Sequence, residues 1–550
     1  MNLIRIAIFS FLLFTFFSCR ESAEVDLIIR NGNIYTVNDN FETAKAMAIK
    51  DGKIVAIGPE NEILNKYFSK ELIDAESKAI YPGFIDAHCH FVGFSKNLLE
   101  VNLIGTTSFD QVLEKIKDFI KENKLTKEQW IIGRGWDEHL WENKTLPNKT
   151  KLDELFPEQP IFLSRIDGHA ALVNQKALDL TNINEETTIE GGIVEIKDGK
   201  PTGILIDNAK ILVQNQLPNY TKSQLQKALV EAEKRLFSVG LTTVDDAGLN
   251  RSEIELIDEL QKSGKLKIKV YAMISALPEL LEEYLAKGPY KTPQLNVSSF
   301  KFYADGSLGS ESACLLEDYH SNNGNKGLLL HDIAFYKKYA PLLADKGFQM
   351  NTHAIGDSAV RMILEVYEDA LKTTNDKRWR IEHAQVVHPN DLEKFKKFTI
   401  IPSVQPVHAI SDMKWAEEKL GTNRLPSAYA YKELLQQLGM IALGTDFPVE
   451  DINPLATFYA AVVRKDVNGN PPNGFLPQNK LSREEALKGM TIWAAIANFE
   501  EQEKGSLEVG KSADFVILNR DIMQVDEQEL LKAKVEMTFV DGQLVFNAQN

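Results

Sequence analysis

A chain of 550 residues is long enough for more than one structural unit, although a (β/α)8 barrel alone can absorb roughly 250 to 400 residues. Its 44% hydrophobic and 25% charged residues are ordinary for a globular protein, which excludes a disordered or fibrous chain. The formal net charge of -16 argues against a nucleic acid partner, because such binders concentrate Lys and Arg on one basic face.

The first eighteen residues have the pattern of an export signal. An apolar run over residues 6–17 is of signal-peptide length and too short to cross a bilayer. Ser18 and Cys19 resemble the end of a bacterial lipobox, although Phe16 stands where that pattern prefers Leu. We expect residues 1–18 to be removed and Cys19 to carry the lipid. The protein would then be a lipid-anchored membrane protein of the cell envelope, facing the periplasm or the cell surface; a soluble periplasmic product is the alternative.

Both ends of the chain carry short strand patterns separated by glycine turns. The N-terminal runs are LIIRNGNIYTV and AMAIKDGKIVAIG, and the C-terminal runs are SADFVILN and VEMTFVDGQLVF. Alternating β-branched and polar residues of this kind are typical of β-strands. Residues 19–80 and 501–550 are therefore predicted to form one small β-sandwich domain around the rest of the chain.

Residues 81–500 alternate short apolar strands with amphipathic helices, as parallel strands wrapped by crossover helices do. Eight such strands are predicted, at residues 84–90, 241–246, 267–274, 299–304, 348–353, 379–383, 400–404 and 441–446. The predicted fold class is α/β, a (β/α)8 TIM barrel. The runs WIIGRG and PIFLSRI fall in a large insertion, about residues 92–225, after the first barrel strand. Ser482 and Glu485 form a capping box, which predicts one final helix.

His88 and His90 alternate with Cys89 on the first predicted strand, so both imidazoles lie on one face of it. Alone, two such histidines are better explained by hydrogen-bonded packing than by metal binding. Other polar residues lie on or at the end of the fourth, fifth, sixth and eighth predicted strands: Lys301, His353, His383 and Asp446. Barrel enzymes place their working residues at these carboxyl ends. The positions together predict a metal site at the barrel mouth.

Six motifs also carry a family resemblance: PGFIDAHCH, KFYADGSLGSESACL, NTHAIGD, RIEHAQ, LGTDFPV and GSLEVGKSADFVIL. Over about residues 26–548 the chain resembles amidohydrolase family 3, especially its N-substituted formamide deformylase (YtcJ-like) branch. The resemblance implies a metal-dependent hydrolase that cleaves amide, formamide or cyclic amide bonds. It implies as metal ligands His88, His90, Lys301, His353, His383 and Asp446.

The resemblance further implies that Lys301 is carbamylated and bridges two ions. The alternative is an ammonium group paired with a carboxylate such as Asp305, so one or two ions remain open. Imidazole and carboxylate donors favour zinc, although manganese, iron or cobalt would also suit them. The metal would activate water, and Asp446 would accept its proton and pass it to the departing nitrogen. A purely ligating Asp446 is the alternative.

The remaining candidate residues would contact the substrate. RIDGHAALVN in the insertion resembles the family's DGH element, which implies that His169 hydrogen-bonds the developing oxyanion and that Asp167 orients it. Gln405 and His408 follow the seventh predicted strand and are candidates for the substrate-facing rim. Trp136 is a candidate for the pocket wall, although a tryptophan there would equally anchor the insertion.

Two alternative functions remain open at this stage. The same metal site would also suit an ester, a phosphoester or an amidine that is deaminated. A surface lipoprotein that binds a solute or glycan with a structural metal is a further alternative, which the open barrel mouth disfavours. The expected partner is a small-molecule substrate. The groups that flank the bond, and whether the chain forms a homo-oligomer, are not predicted.

Overall fold

The computed structural model describes residues 22–166, 170–189 and 192–549. The predicted signal peptide and Cys19 lie outside these residues, as do Asp167 and His169. In the described part of the chain, no helix combines the length and the apolar character that crossing a membrane requires.

A parallel sheet of eight strands forms the centre of the molecule, and its strand order follows the chain. The strands are Phe84–Cys89, Leu241–Leu249, Lys269–Ser275, Leu295–Tyr303, Gln349–Ala354, Arg380–His383, Ile401–Val404 and Ala442–Leu443. Two backbone hydrogen bonds of 2.8 Å join the last strand's exit to the first strand: Asp446 donates to His88, and His90 donates to Phe447. The sheet is thus nearly closed, and the predicted (β/α)8 barrel is confirmed.

Helices pack around the barrel strands. The main crossover helices are Lys222–Ser238, Arg251–Lys262, Pro278–Lys287, Ile333–Lys346, Asp357–Leu371, Leu392–Lys397 and Tyr431–Leu438. The first two begin at capping boxes, because Thr221 and Asn250 each exchange hydrogen bonds with the side chain and backbone three residues later. Their apolar faces pack with the outward-facing strand residues in one large buried cluster.

The end of the barrel differs in one respect from the sequence prediction. Ser482 and Glu485 do form a capping box, but the predicted single helix is two helices, Arg483–Gly489 and Ile492–Ala497. Thr491 separates them with φ -141° and ψ -98°, which no α-helix accommodates. Gly489 packs so closely on Leu443 that a Cβ atom would lie 2.6 Å from the leucine Cγ. The break therefore accompanies close packing of this segment on the eighth barrel strand.

The two ends of the chain together build a pair of sheets. One contains Lys53–Gly58, Ala46–Lys50, Leu27–Arg30 and Glu71–Asp74; the other contains Gln543–Asn547, Val535–Val540, Phe515–Leu518, Ala79–Pro82, Asn33–Tyr35 and Thr43–Ala44. Apolar side chains of both sheets, such as Ile29, Met47 and Phe539, meet in one buried cluster. The N- and C-terminal segments are thus joined in one six-stranded sheet, since Phe515–Leu518 pairs with Ala79–Pro82.

The insertion after the first barrel strand begins with helix Phe91–Asn97 and forms a six-stranded sheet. Its strands are Val101–Asn102, Ile131–Trp136, Ile161–Arg165, Ala170–Val173, Lys200–Asp207 and Gly192–Lys197, in spatial order. Its helices are Phe109–Asn123, Thr150–Leu155, Gln175–Leu180 and Ile211–Gln214. The sequence predicted only two of these strands. The insertion has its own apolar clusters and is therefore a packed unit rather than a loose loop.

Candidate metal centre

The carboxyl ends of the barrel strands bring most of the predicted ligands together around Asp446. His88, His90 and Asp446 form one group whose ligand atoms all lie within 4.8 Å of one another. His383, His408 and Asp446 form a second such group. A third group, in the insertion, consists of Asp137, Glu138 and His139, and there Arg165 pairs with both carboxylates. The barrel mouth therefore holds two potential cation sites that share one carboxylate.

The distances around Asp446 suit a metal ion. Its Oδ1 atom lies 3.2 Å from His90 Nε2 and 3.7 Å from His88 Nε2. Ligand atoms bound to one tetrahedral zinc ion are roughly 3.3 Å apart, given bonds of about 2.0–2.1 Å. Although buried, Oδ1 forms no hydrogen bond with any described residue. A buried carboxylate oxygen without a donor calls for a further partner, and a cation between these three side chains would supply it.

Three histidines are oriented by contacts to their Nδ1 atoms, so that their Nε2 atoms remain available to the candidate metal centre. His88 Nδ1 lies 2.5 Å from Glu382 Oε2, and His90 Nδ1 lies 2.9 Å from the backbone oxygen of Ala247. His383 Nδ1 lies 2.8 Å from Gln405 Oε1. Metal-bound histidines usually donate their second ring N–H to such acceptors, which fixes the tautomer and the ring orientation. The contacts of Gln405 thus orient a histidine, where the sequence predicted a contact with substrate.

Lys301 and His353 are at the same mouth but in different surroundings. Lys301 is buried, and its Nζ lies 2.8 Å from His88 Nε2. His353 belongs to neither cation group; its Nε2 lies 3.3 Å from the backbone oxygen of Gly306 and 3.6 Å from Asp305 Oδ1. Asp305 itself accepts backbone N–H groups and lies within no ion-pair distance of Lys301. Its alternative role as the partner of an ammonium group is therefore not seen.

Two of the converging residues have unusual backbone conformations. His383 has φ 72° and Asp446 has φ 64°. Positive φ costs a non-glycine residue on the order of 1–3 kcal/mol and is concentrated at functional sites. At His383 the conformation ends the strand alternation, so that Glu382 and His383 both serve the same centre. The surrounding barrel therefore holds both residues in place against a local energetic cost.

Burial determines the protonation states of the side chains at the barrel mouth. It lowers the pKa of His353 to about 4, holds the pKa values of His88 and His383 well below the ordinary value, and lowers the pKa of Lys301 to about 8. Burial alone would raise the pKa of Asp446, but the hydrogen bond from His408 and the nearby rings of His90, His88 and His383 hold it well below its ordinary value. Neutral imidazoles and an ionised carboxylate are the protonation states that bind a cation.

Trp136 was predicted to line the pocket wall, which requires an exposed side chain, but the structure buries it. Its side chain is 1% exposed, and its Nε1–H donates to the backbone oxygen of Leu163 at 2.8 Å. Its ring packs against Trp141 with centroids 6.2 Å apart, inside the core of the insertion. These contacts correspond to the alternative interpretation, in which Trp136 anchors the insertion.

Sequence reasoning missed Glu382, which is fully buried beneath His88. Behind it, Arg380 donates to Asp245 Oδ2 at 2.9 Å and also bonds Asn498. Burial raises the pKa of Asp245 to about 7, against the opposing charge of Arg380. The available signal was the position of Glu382 beside His383 in RIEHAQ, but strict alternation would have turned one of the two side chains away from the site.

The model of the amidohydrolase family matches residues 71–546. The chain belongs to this family.

Several proteins are similar in sequence to this chain over almost its whole length. Protein LONG AFTER FAR-RED 3 of Arabidopsis thaliana is 33% identical over 95% of this chain and 91% of its own length. Putative amidohydrolase YtcJ of Bacillus subtilis is 30% identical over 94% and 99%, and the N-substituted formamide deformylase of Arthrobacter pascens is 27% identical over 94% and 98%. These similarities support the YtcJ-like branch.

The fold is also similar to solved structures. An uncharacterized metal-dependent hydrolase from Pyrococcus furiosus superimposes with a TM-score of 0.76 at 28% identity, covering 90% of this chain and 100% of that chain. Family membership and these neighbours show that the protein is an enzyme, a metal-dependent hydrolase that acts on carbon–nitrogen bonds.

Proposed function

We propose that the enzyme uses zinc to hydrolyse a formamide, amide or cyclic amide bond in a small molecule. The observation that carries the proposal is the buried Oδ1 atom of Asp446, which receives no hydrogen bond from the described residues and faces Nε2 of His88 and His90. Two imidazoles and one carboxylate are donors that zinc prefers, and positions on the ion remain for the Lys301 carbamate proposed below and for water or substrate. The formamide is favoured because a relative of similar length is named as a formamide deformylase.

When bound, zinc would activate a water molecule and polarise the substrate carbonyl. The chain's own residues would move the proton. Asp446 is ionised and can accept a proton from the attacking water, then deliver it to the leaving nitrogen. His169, oriented by Asp167, would donate a hydrogen bond to the carbonyl oxygen; both residues lie outside the described part of the chain.

Lys301 completes the proposed centre as a carbamate. Carbamylation joins a neutral amine nitrogen to the carbon of CO2 with loss of one proton, and it would place two new oxygen donors beside His88 Nε2. The 2.8 Å separation of Lys301 Nζ from that nitrogen favours this placement, because an ammonium group there would compete with the metal for the same lone pair. His353 and His383 would supply nitrogen donors next to this carbamate.

The substrate class is tested with purified full chain and a panel of N-formyl, N-acyl and cyclic amides. We expect turnover of at least one class, with N-formyl compounds the first candidates. Asp446→Asn should reduce kcat by about 10²–10⁴-fold. His331→Gln should leave it unchanged, since His331 is exposed and belongs to none of the cation groups among the described residues. Turnover of esters or phosphoesters alone would contradict the proposal.

We also propose that Cys19 carries the lipid anchor of an envelope protein. The proposal is supported by the apolar run over residues 6–17 and by the Ser18–Cys19 pair. Expression of the natural chain and of Cys19→Ser with a radiolabelled fatty acid tests it. Label in the natural chain alone supports the anchor, and unlabelled, soluble natural protein contradicts it.

A further inference from the structure

The first strand of the described chain lies close to the proposed lipid anchor. Strand Ala23–Glu24 pairs with strand Tyr67–Phe68 in a two-stranded sheet. Ala23 follows Cys19 by four residues, and four residues span no more than about 14 Å even when fully extended. Lipid chains on Cys19 would hold that residue at the membrane interface, where the headgroup layer alone is roughly 5–8 Å thick. The protein surface around Ala23 must therefore lie against the bilayer if Cys19 is lipidated.

Three large apolar side chains are exposed on this surface. Leu64, Phe68 and Leu72 are 37%, 47% and 46% exposed, respectively. Phe68 is the register partner of Glu24, and its backbone oxygen accepts a hydrogen bond from the backbone N–H of Val25 at 3.0 Å. Single exposed apolar side chains are ordinary, but three of them within residues 64–72 and beside one strand form an apolar patch, which indicates contact with a partner.

The apolar patch belongs to the outer layer of the two sheets built by the chain ends. Leu72 is paired with Ile28 and so lies on the same face of the four-stranded sheet. On that face Ile28 is buried in one cluster with Ile63 of helix Glu60–Lys66. The neighbouring Ile29 turns to the opposite face and packs toward the six-stranded sheet. The patch therefore lies on the side of the four-stranded sheet that faces away from the six-stranded sheet.

The six-stranded sheet in turn packs on the barrel. Its residues Val516 and Val535 belong to the large buried cluster of the barrel. Lys269, the first residue of the third barrel strand, pairs with Asp514 at 2.6 Å and with Asp541 at 2.7 Å. Lys269 lies at the amino end of its strand, opposite to the candidate metal centre. Both sheets thus separate the apolar patch from the barrel, and the barrel mouth is on the far side.

We infer that Leu64, Phe68 and Leu72 insert into the headgroup region of the bilayer that holds the lipid of Cys19. The inference rests on the proposed lipid anchor and is independent of the proposed metal chemistry. The lipid supplies most of the affinity, and the apolar side chains fix the orientation of the protein on the bilayer. The barrel then stands away from the membrane behind two sheets, each roughly 10 Å thick, with its mouth directed to the aqueous phase.

The charges around the apolar patch favour a contact that does not depend on anionic lipids. Residues 60–74 contain more acidic than basic side chains, namely Glu60, Glu62, Glu71 and Asp74 against Lys66 and Lys70. Segments that bind anionic headgroups have the opposite balance, with clustered Lys and Arg. We therefore expect the patch to enter a bilayer of zwitterionic phosphatidylcholine, and we expect added salt to leave this contact unchanged.

The experiment places a tryptophan in the apolar patch and measures its depth in the bilayer. Lipidated full-length Phe68→Trp is reconstituted in phosphatidylcholine vesicles with and without brominated acyl chains, which quench nearby tryptophan, and its fluorescence is compared with that of the wild type. Leu342→Trp is the matched control, because Leu342 is 44% exposed on barrel helix Ile333–Lys346. We expect the brominated lipid to quench the fluorescence that Phe68→Trp adds, at low and at high salt, and to spare that of Leu342→Trp.

Intact-mass spectrometry shows first whether the chain carries lipid. In lipidated protein, equal quenching of both variants or of neither would overturn the inference and leave the anchor standing. A chain without lipid would defeat the proposed anchor and the inference with it, so the two failures are distinguishable. Circular dichroism verifies folding, and Leu72→Trp takes the place of Phe68→Trp should that variant misfold.

The competing occupant of the apolar patch is a second copy of this chain. Sedimentation of Cys19→Ser, alone and combined with Phe68→Glu, tests it. We expect the same monomeric mass for both proteins. A dimer of Cys19→Ser that Phe68→Glu dissociates would assign the patch to contact between copies and would overturn the inference.

Discussion

Glu382 Oε2 lies 2.5 Å from Nδ1 of His88, and both side chains are fully buried. The contact fixes the His88 tautomer in which Nδ1 carries the proton and Nε2 faces Asp446. Arg380 lies 3.9 Å from Glu382 Oε1 and is itself paired with Asp245, so the position of a proposed metal ligand depends on charges deep inside the barrel. Removing any one of them would leave another buried charge without its partner.

Glu382→Gln should weaken zinc binding by roughly 10–100-fold, because the amide oxygen still accepts the His88 N–H but the negative charge is lost. The dissociation constant is measured by competition with a chelator. Glu393→Gln is the matched control, since Glu393 is exposed on helix Leu392–Lys397. Equal zinc affinity in both variants would show that Glu382 does not tune His88.

If Lys301 is carbamylated, the activity of the enzyme should depend on CO2. Enzyme stripped of metal and CO2 should regain little activity with zinc alone and more with zinc and bicarbonate. Since burial lowers the pKa of Lys301 to about 8, the rate of this recovery at a fixed concentration of dissolved CO2 should rise as the pH is raised through 8, where the amine becomes neutral. Intact-mass spectrometry should find the mass of one added CO2, which Lys301→Met lacks. Full recovery without bicarbonate would exclude the carbamate.

Because the ring of His353 is buried, we expect the stability of the metal-free protein to depend on pH. Its pKa falls from an ordinary 6.5 to about 4 on burial, so between these values only the unfolded state binds the proton. The free energy of unfolding therefore rises with pH over this window, by up to roughly 1.4 kcal/mol per pH unit from this group. Urea unfolding at pH 4.5 and 6.5 measures the slope. His353→Asn should flatten it, and an unchanged slope would contradict the burial of a neutral ring.

We expect substitutions of Trp136 to reduce the stability of the protein rather than its catalytic activity. Trp136→Ala removes a 1% exposed side chain from the core of the insertion and should cost about 3–5 kcal/mol. Trp136→Phe keeps most of the volume and loses only the bond to Leu163, so its cost should be smaller. Thermal unfolding measures both effects. If Trp136→Phe instead raised KM at unchanged stability, the ring would be a substrate contact.

The sequence predicted the eight barrel strands and the polar residues at their ends because the β/α alternation and the carboxyl-end rule are both regular. It did not predict four insertion strands, among them Gly192–Lys197, which is largely exposed and therefore lacks an apolar run. It also gave no indication that Glu382 shares a site with His383, because that depends on the positive φ of one residue. The contact between His408, on helix Pro406–Asp412, and Asp446, in the loop after the eighth barrel strand, joins distant parts of the chain, so it could not be assigned from spacing.

We propose that Asp446, His88 and His90 hold a catalytic zinc. The most direct test is the activity of one preparation before chelation, after chelation and after zinc is restored, with circular dichroism at each step. We predict folded, inactive protein after chelation and recovered turnover of the same amide once zinc is added. Undiminished turnover by metal-free protein would contradict the claim.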